Sequence, residues 1–223
     1  MKLVHVGIDM QIMYDKDSIN ELIIESPDCF MKYIRELIRQ TSGIDGEFVL
    51  SEKDMILNIS KSVEVIVNPF TVDVNDKKIL GKIYDELKHI AYGEKYYVKS
   101  QEMYQKIMSY IIDVIDDSDY ILDLDSEIDM SMLLKAVGVK IGMDPDDFVG
   151  NIFKYMQLVI ELLKRKLVVI VNLRSYIDDI QYNEFIGMCR YKKINVLLIE
   201  NSKKNSVAGV KQYIIDKDRC EIF

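Results

Sequence analysis

Between Phe148 and Leu163 apolar residues recur every three or four positions (Phe148, Ile152, Met156, Val159, Leu163), the spacing that lays one apolar stripe along a helix. Asp144-Pro145 offers an N-cap residue and a proline whose missing N–H costs nothing in the first turn, so the helix is predicted to open there. Lys164-Arg165-Lys166 then puts positive charge where the helix dipole favours it. The pattern changes abruptly after that. Leu167-Val168-Val169-Ile170-Val171-Asn172 is a continuous β-branched run without polar alternation, which reads as a parallel strand buried on both faces. Val196-Leu197-Leu198-Ile199, ending at Glu200-Asn201, repeats the signal. This half of the chain predicts a parallel α/β core.

In the N-terminal part the runs are shorter. Lys2 to Ile8 alternates and predicts an opening strand at an edge; Ile19 to Ile24 predicts a second. Ser26-Pro27-Asp28 stops that strand and starts a helix carrying Phe30, Ile34, Leu37 and Ile38. Glu47 to Leu50 and Val63 to Val67, the latter closed by Asn68-Pro69, predict further strands, so that β-α-β-β elements share one sheet. From Asn75 to Asp117 only helical spacing is found. Ile79, Ile83, Leu87 and Ile90 form one stripe and Met103, Ile107, Tyr110, Ile111 and Val114 another, with Gly93 between them, which predicts an antiparallel helical arm. Asp129 can cap a third helix through Met132, Leu133 and Val137, ended by Gly138. The predicted fold class is α/β: a discontinuous head with a mainly parallel sheet, residues 1–74 and 141–223, and an inserted helical arm, residues 75–140.

Composition narrows the function classes. The 223 residues carry a formal charge of −8, which argues against indiscriminate coating of nucleic acid while leaving room for a local basic surface. No apolar run approaches the ~20 residues that span a bilayer, and no signal-peptide core opens the chain. Cys29, Cys189 and Cys220 stand apart with no CxxC pair, as expected of reduced thiols in a cytoplasmic protein away from membranes. His5 and His89 are too few to build a zinc site with them. P-loop, GxGxxG, GxSxG and HExxH motifs are absent.

Two constellations remain. Asp123-Leu124-Asp125-Ser126-Glu127-Ile128-Asp129 sets carboxylates at every second position, an oxygen-only donor set suited to a hard cation, although the EF-hand template fails at Ile128 and Leu134. The same run also reads as a solvated connector leading into a helix N-terminus. In the arm, Lys95, Lys99 and Lys106 share a face if one helix covers them, with Lys82 nearby in sequence; such a stripe is either a solvated surface or a phosphate-contacting one. An enzyme reading also survives. Val6-Gly7-Ile8-Asp9 looks like the first strand of an RNase H-like nuclease, with Asp73 or Asp123 as the second metal-holding carboxylate.

Several segments together resemble a known family. Glu94-Lys95-Tyr96-Tyr97-Val98-Lys99-Ser100, Leu122-Asp123-Leu124-Asp125, Leu134 to Lys140, Ile152-Phe153-Lys154, Lys166 to Asn172 and Asn195 to Glu200 are similar to the spacer-acquisition protein of type II-A CRISPR systems. The register holds from about Glu47 onward. The resemblance implies a head related to P-loop ATPases but lacking their nucleotide site, and a non-enzymatic homotetrameric ring that takes ends of double-stranded DNA into a positively charged hole. It implies Ca2+ held near the junction of head and arm by Asp123, Asp125 and Glu127; for the DNA phosphates, the arm and the following helix supply Lys82, Lys95, Lys99, Lys106, Lys135 and Lys140 as candidates. Other acquisition proteins and the RNA-guided nuclease are the implied partners. The acidic loop is one residue shorter than the family pattern, and Met132 stands where a further acidic ligand is expected. A protein-binding scaffold without DNA affinity is the remaining alternative.

Overall fold

The computed structural model describes residues 1–14, 19–125 and 128–222. In chain order its elements are β1 (Lys2–His5), β2 (Ile8–Met13), β3 (Ile19–Ile24), α1 (Pro27–Thr41), β4 (Phe48–Glu52), β5 (Met55–Leu57), α2 (Ile59–Ser62), β6 (Val63–Ile66), α3 (Lys77–Tyr92), α4 (Tyr97–Asp116), α5 (Met130–Ala136), α6 (Phe148–Glu161), β7 (Leu167–Val171), α7 (Asp179–Tyr191), β8 (Val196–Glu200), β9 (Val210–Ile215) and β10 (Glu221–Ile222). They fall into two compact units, Met1–Val74 with Met143–Phe223, and Asn75–Gly142.

The β-branched runs form the centre of the first unit. Its larger sheet has the order β10-β9-β3-β8-β7-β6. Neighbours are parallel except at the β10–β9 edge. Every residue of β3, β7 and β8 is buried, as strands covered on both faces require, including Asn20 and Glu21 of β3. Val169 faces Val65 on one side and Leu197 on the other, so the sequence runs read as buried strands are neighbours in register. Each such side chain contributes about 1.5–3 kcal/mol by leaving water.

Of the N-terminal strands, β3 and β6 join that sheet, whereas β1, β2, β4 and β5 do not. These four make a second, antiparallel sheet of order β2-β1-β4-β5, which corrects the expectation of a single sheet. The opening strand stops at His5 rather than reaching Ile8, because the chain turns at Val6-Gly7. The Gly7 N–H donates to Nδ1 of His5 at 2.9 Å and Tyr33 Oη donates to the Gly7 carbonyl at 3.0 Å, so the turn is pinned from both sides. Beyond it, β2 alternates strictly, burying Ile8, Met10 and Ile12 in the shared core and exposing Asp9 and Gln11.

Helix starts follow the side chain that reaches the free amides. Asp147, not Asp144, caps α6, since its Oδ1 accepts the Gly150 N–H at 2.8 Å. Asp144 instead accepts the Asp146 N–H in a turn of its own, and Pro145 lies in that turn. Both candidate caps obey local rules; the one adjoining the apolar stripe begins the helix.

The second unit is helical. Asp76 caps α3, which ends at Gly93, and the Tyr97 N–H bonds the Gly93 carbonyl as α4 begins. Asp129 caps α5. Gly138 takes φ +70°, and the Gly138 and Val139 amides return to the Lys135 and Leu134 carbonyls, a pairing that ends a helix on a left-handed residue. The Tyr84 hydroxyl donates to the Val139 carbonyl at 2.8 Å. Where the chain enters and leaves the unit, the Asn75 amide clasps Ile141. Its Oδ1 accepts the Ile141 N–H at 2.8 Å and its Nδ2 donates to the Ile141 carbonyl at 3.2 Å.

Candidate nucleic-acid and metal sites

The six lysines singled out from the sequence all lie in the helical unit, and all are exposed. Lys82 is on α3, Lys99 and Lys106 on α4, Lys135 on α5 and Lys140 beyond it. Lys95 departs from expectation: α4 begins at Tyr97, so Lys95 belongs to the preceding turn and does not continue the Lys99–Lys106 face. Its ammonium stands 5.1 Å from the Tyr96 ring centre. Lys99 and Lys106, seven residues apart on one helix, do share a face.

The same helix has an unusual surface. Among the described residues α4 buries none, although Met103, Ile107, Tyr110 and Val114 repeat at coiled-coil spacing. Tyr110 is 66% exposed and Val114 52%. An amphipathic helix normally buries such a stripe; here Ile107 is half-buried and Met103, Tyr110 and Val114 stay exposed.

Asp123 and Asp125 lie exposed in the irregular segment between α4 and α5; Glu127 falls outside the described residues. Their donors are oxygen only, which fits a hard cation such as calcium in kind. Asp129 is already engaged. Its carboxylate accepts the Ser131 N–H at 2.7 Å and stands 3.4 Å from Lys88 Nζ, and these contacts, the amide first, hold its pKa below the ordinary carboxylate value. Asp9, the anchor of the nuclease reading, sits on the exposed face of β2, with its own N–H bonded to Glu221. Among the described residues no cluster of three metal-capable groups includes Asp9, Asp73, Asp123 or Asp125.

One such cluster does exist, at residues that no sequence motif singles out. His5, Glu36 and Glu47 bring ligand atoms within 4.8 Å of one another. Its hydrogen bonds argue for structure rather than metal. Nδ1 of His5 accepts the Gly7 N–H, so in the neutral ring Nε2 carries the hydrogen, and it donates to Glu36 at 3.2 Å. A metal on Nε2 needs that position bare and an acceptor opposite Nδ1, which is the reverse of this wiring. Burial opposes ionisation of Glu36, but the Glu47 N–H and the His5 ring outweigh it and lower its pKa. The cluster fastens α1 to the antiparallel sheet.

A second unforeseen network lies at the carboxyl ends of the parallel strands. Arg174, just past β7, is buried and pairs with Glu21 of β3 at 3.2 Å and with Asp179 at 3.3 Å. Its guanidinium stacks 4.2 Å over the Tyr182 ring, and its backbone N–H donates to Glu200 at the end of β8. Gln212 donates to the other Glu21 oxygen. Burial drives the Glu200 pKa up to about 7, against the opposing effect of the Arg174 N–H. The only trace in the sequence is polar residues inside strands, and Glu21 and Arg174 are too far apart in the chain for pairing to be read.

Comparison with known proteins settles the lineage. A family model described as CRISPR-associated protein (Cas_Csn2) matches residues 40–219. The chain belongs to the Csn2 family of CRISPR-associated proteins. It is 33% identical over 152 residues to a CRISPR-associated protein Csn2 of Streptococcus agalactiae, covering 66% of this chain and 65% of that one, so the match spans just under two thirds of that relative. It is 26% identical over 187 residues to a CRISPR-associated protein Csn2 of Enterococcus faecalis, covering 82% and 83%. Neither relative's description names an enzymatic activity. Among solved structures, an ATP-binding cassette of an ABC transporter overlaps 96% of this chain and 82% of its own, with 13% identity and a TM-score of 0.44, too loose to carry a conclusion. Among the described residues of this Csn2-family chain, no helix is long and apolar enough to cross a membrane.

Proposed function

We propose that this Csn2-family chain assembles as a homotetrameric ring that binds the ends of double-stranded DNA in the presence of calcium and assists spacer acquisition without catalysing a reaction itself. The observation that carries the reading is the helical unit's outward-facing construction. One surface of α4 offers an uncovered apolar stripe, and Lys82, Lys99, Lys106, Lys135 and Lys140 stand exposed on the same unit. Stripes of that kind associate with other helices, and unpaired ammonium groups suit phosphates. Copies in a ring concentrate those cations, which is how a chain of charge −8 can hold a polyanion. Calcium held by Asp123 and Asp125, with Glu127, neutralises the acidic segment beside them. Contacts to phosphates carry no base preference, so any duplex end serves, and the other acquisition proteins with their RNA-guided nuclease act on what the ring holds.

The decisive experiment compares one plasmid before and after linearisation in gel shifts with calcium. Linear DNA should be retained and closed-circular DNA released, and retention should fall by roughly 10³–10⁵ in affinity between 50 and 200 mM salt if ~6–10 phosphates are contacted. Equal binding of both forms removes threading. Light scattering in calcium should give a tetramer, and Asp123→Ala with Asp125→Ala should abolish the calcium effect; unchanged calcium binding by calorimetry in that variant places the ion elsewhere.

A further inference from the structure

We propose that the cavity beside Arg174, rimmed by Lys203 and Lys204, is a binding site for a phosphate-bearing anion. It offers about 670 Å³, opens broadly to solvent, and is walled by the segment that follows β7, the start of α7 and the loop that follows β8. It therefore lies outside the carboxyl ends of two adjacent buried parallel strands, the crevice in which open α/β sheets hold their ligands.

The charges around it are unequally committed. Asp178 is occupied by capping α7, its Oδ1 accepting the Gln181 N–H at 2.8 Å, and Asp179 lies 3.3 Å from the Arg174 guanidinium. Arg174 is in turn fixed by Glu21 and stacked on Tyr182, so it forms a rigid floor. Lys203 and Lys204 are exposed; among the described residues neither stands within ion-pair distance of a carboxylate, although the charge of Lys204 is felt by buried Glu200. An incoming anion thus meets two exposed ammonium groups outside ion-pair distance of any described carboxylate, while Asp179 is matched by Arg174 and Asp178 is turned to the Gln181 amide. Two adjacent lysines on a loop grip a phosphate as point charges, without the planar selectivity of an arginine fork.

The phosphate can belong to a small molecule or to a nucleic-acid backbone, and only the second source rests on the DNA-binding reading above. The test uses the full chain, pyrophosphate as the small probe, and two double variants, Lys203→Ala with Lys204→Ala and Lys203→Arg with Lys204→Arg. Calorimetry should show pyrophosphate binding to the natural chain, at least tenfold weaker binding to the alanine pair, and retention in the arginine pair. If the cavity serves a DNA backbone, pyrophosphate also competes with linear duplex, and the salt slope of duplex binding drops by about 2 in the alanine pair. If it serves a small phosphate, duplex binding is untouched while pyrophosphate binding is still lost. Pyrophosphate binding without any duplex binding leaves the cavity standing and removes the DNA reading. Equal pyrophosphate affinity in the natural chain and the alanine pair, or no pyrophosphate binding at all, overturns the proposal.

Discussion

The two units use apolar residues in opposite ways. In the first, β7 and β8 are buried at every position, and even charged Glu21, Arg174 and Glu200 are drawn inside and matched to one another. In the second, Ile79 and Tyr84 are buried on α3, yet α4 buries no residue and leaves Met103, Tyr110 and Val114 exposed. The first is stabilised by its own interior. The second leaves apolar surface in water, where it contributes no burial free energy. Stability and function are therefore expected to respond to substitution in different places.

The sharpest break in that contrast is a truncation in the sheet. Leu198→Ala removes a fully buried side chain from a central strand and should lower unfolding free energy by roughly 2–5 kcal/mol in urea titrations. A loss below about 1 kcal/mol would mean that the sheet is not the stabilising core.

A smaller effect tests the buried charges. The Glu200 pKa lies above its ordinary value of 4.5, at about 7, because burial disfavours the carboxylate. Between those values the folded chain binds more protons than the unfolded one, so this group's contribution to stability declines as pH rises through that window. Glu200→Gln removes the decline. It should match the natural chain near pH 4.5 and become more stable by up to about 3 kcal/mol at pH 8. A stability difference that stays constant from pH 5 to pH 8 would show that Glu200 does not titrate in this range.

The smallest effect on folding should come from the arm. Tyr110→Ser and Val114→Ser alter exposed positions and should move monomer stability by no more than about 0.5 kcal/mol. Sedimentation should nevertheless show weakened self-association. Undiminished assembly in the double variant would exclude the α4 stripe from the interface.

What could be read from the sequence followed the range of the interactions involved. β7 and β8 were legible because a β-branched run without alternation has few alternatives, and the Gly138 stop because a left-handed residue ends a helix locally. The hairpin was lost at Val6-Gly7, since the turn depends on His5 and on Tyr33 from α1 rather than on an Asn-Gly signal. β5, β9 and β10 are short or lie near an edge, and their alternation is weak. Lys95 joins the Lys99–Lys106 face only if one helix covers all three, and α4 starts two residues after it, a boundary that propensity does not fix. The Arg174 network was illegible for a different reason: its partners come from β3, β8 and α7 and meet only once the sheet exists.

The Asn75 clasp bears on the order of folding events. β6 and β7 are adjacent in the sheet, yet the whole helical unit intervenes between them in the chain. An unstructured segment of that length makes their encounter slow, because the search widens with every residue in the loop. Once Asn75 has gripped Ile141, the unit's two ends travel together. The remaining connection is then roughly threefold shorter, a gain of about 1 kcal/mol in closure entropy. An arm that forms early thus acts as a splint, handing its two neighbouring strands to each other before the sheet is complete.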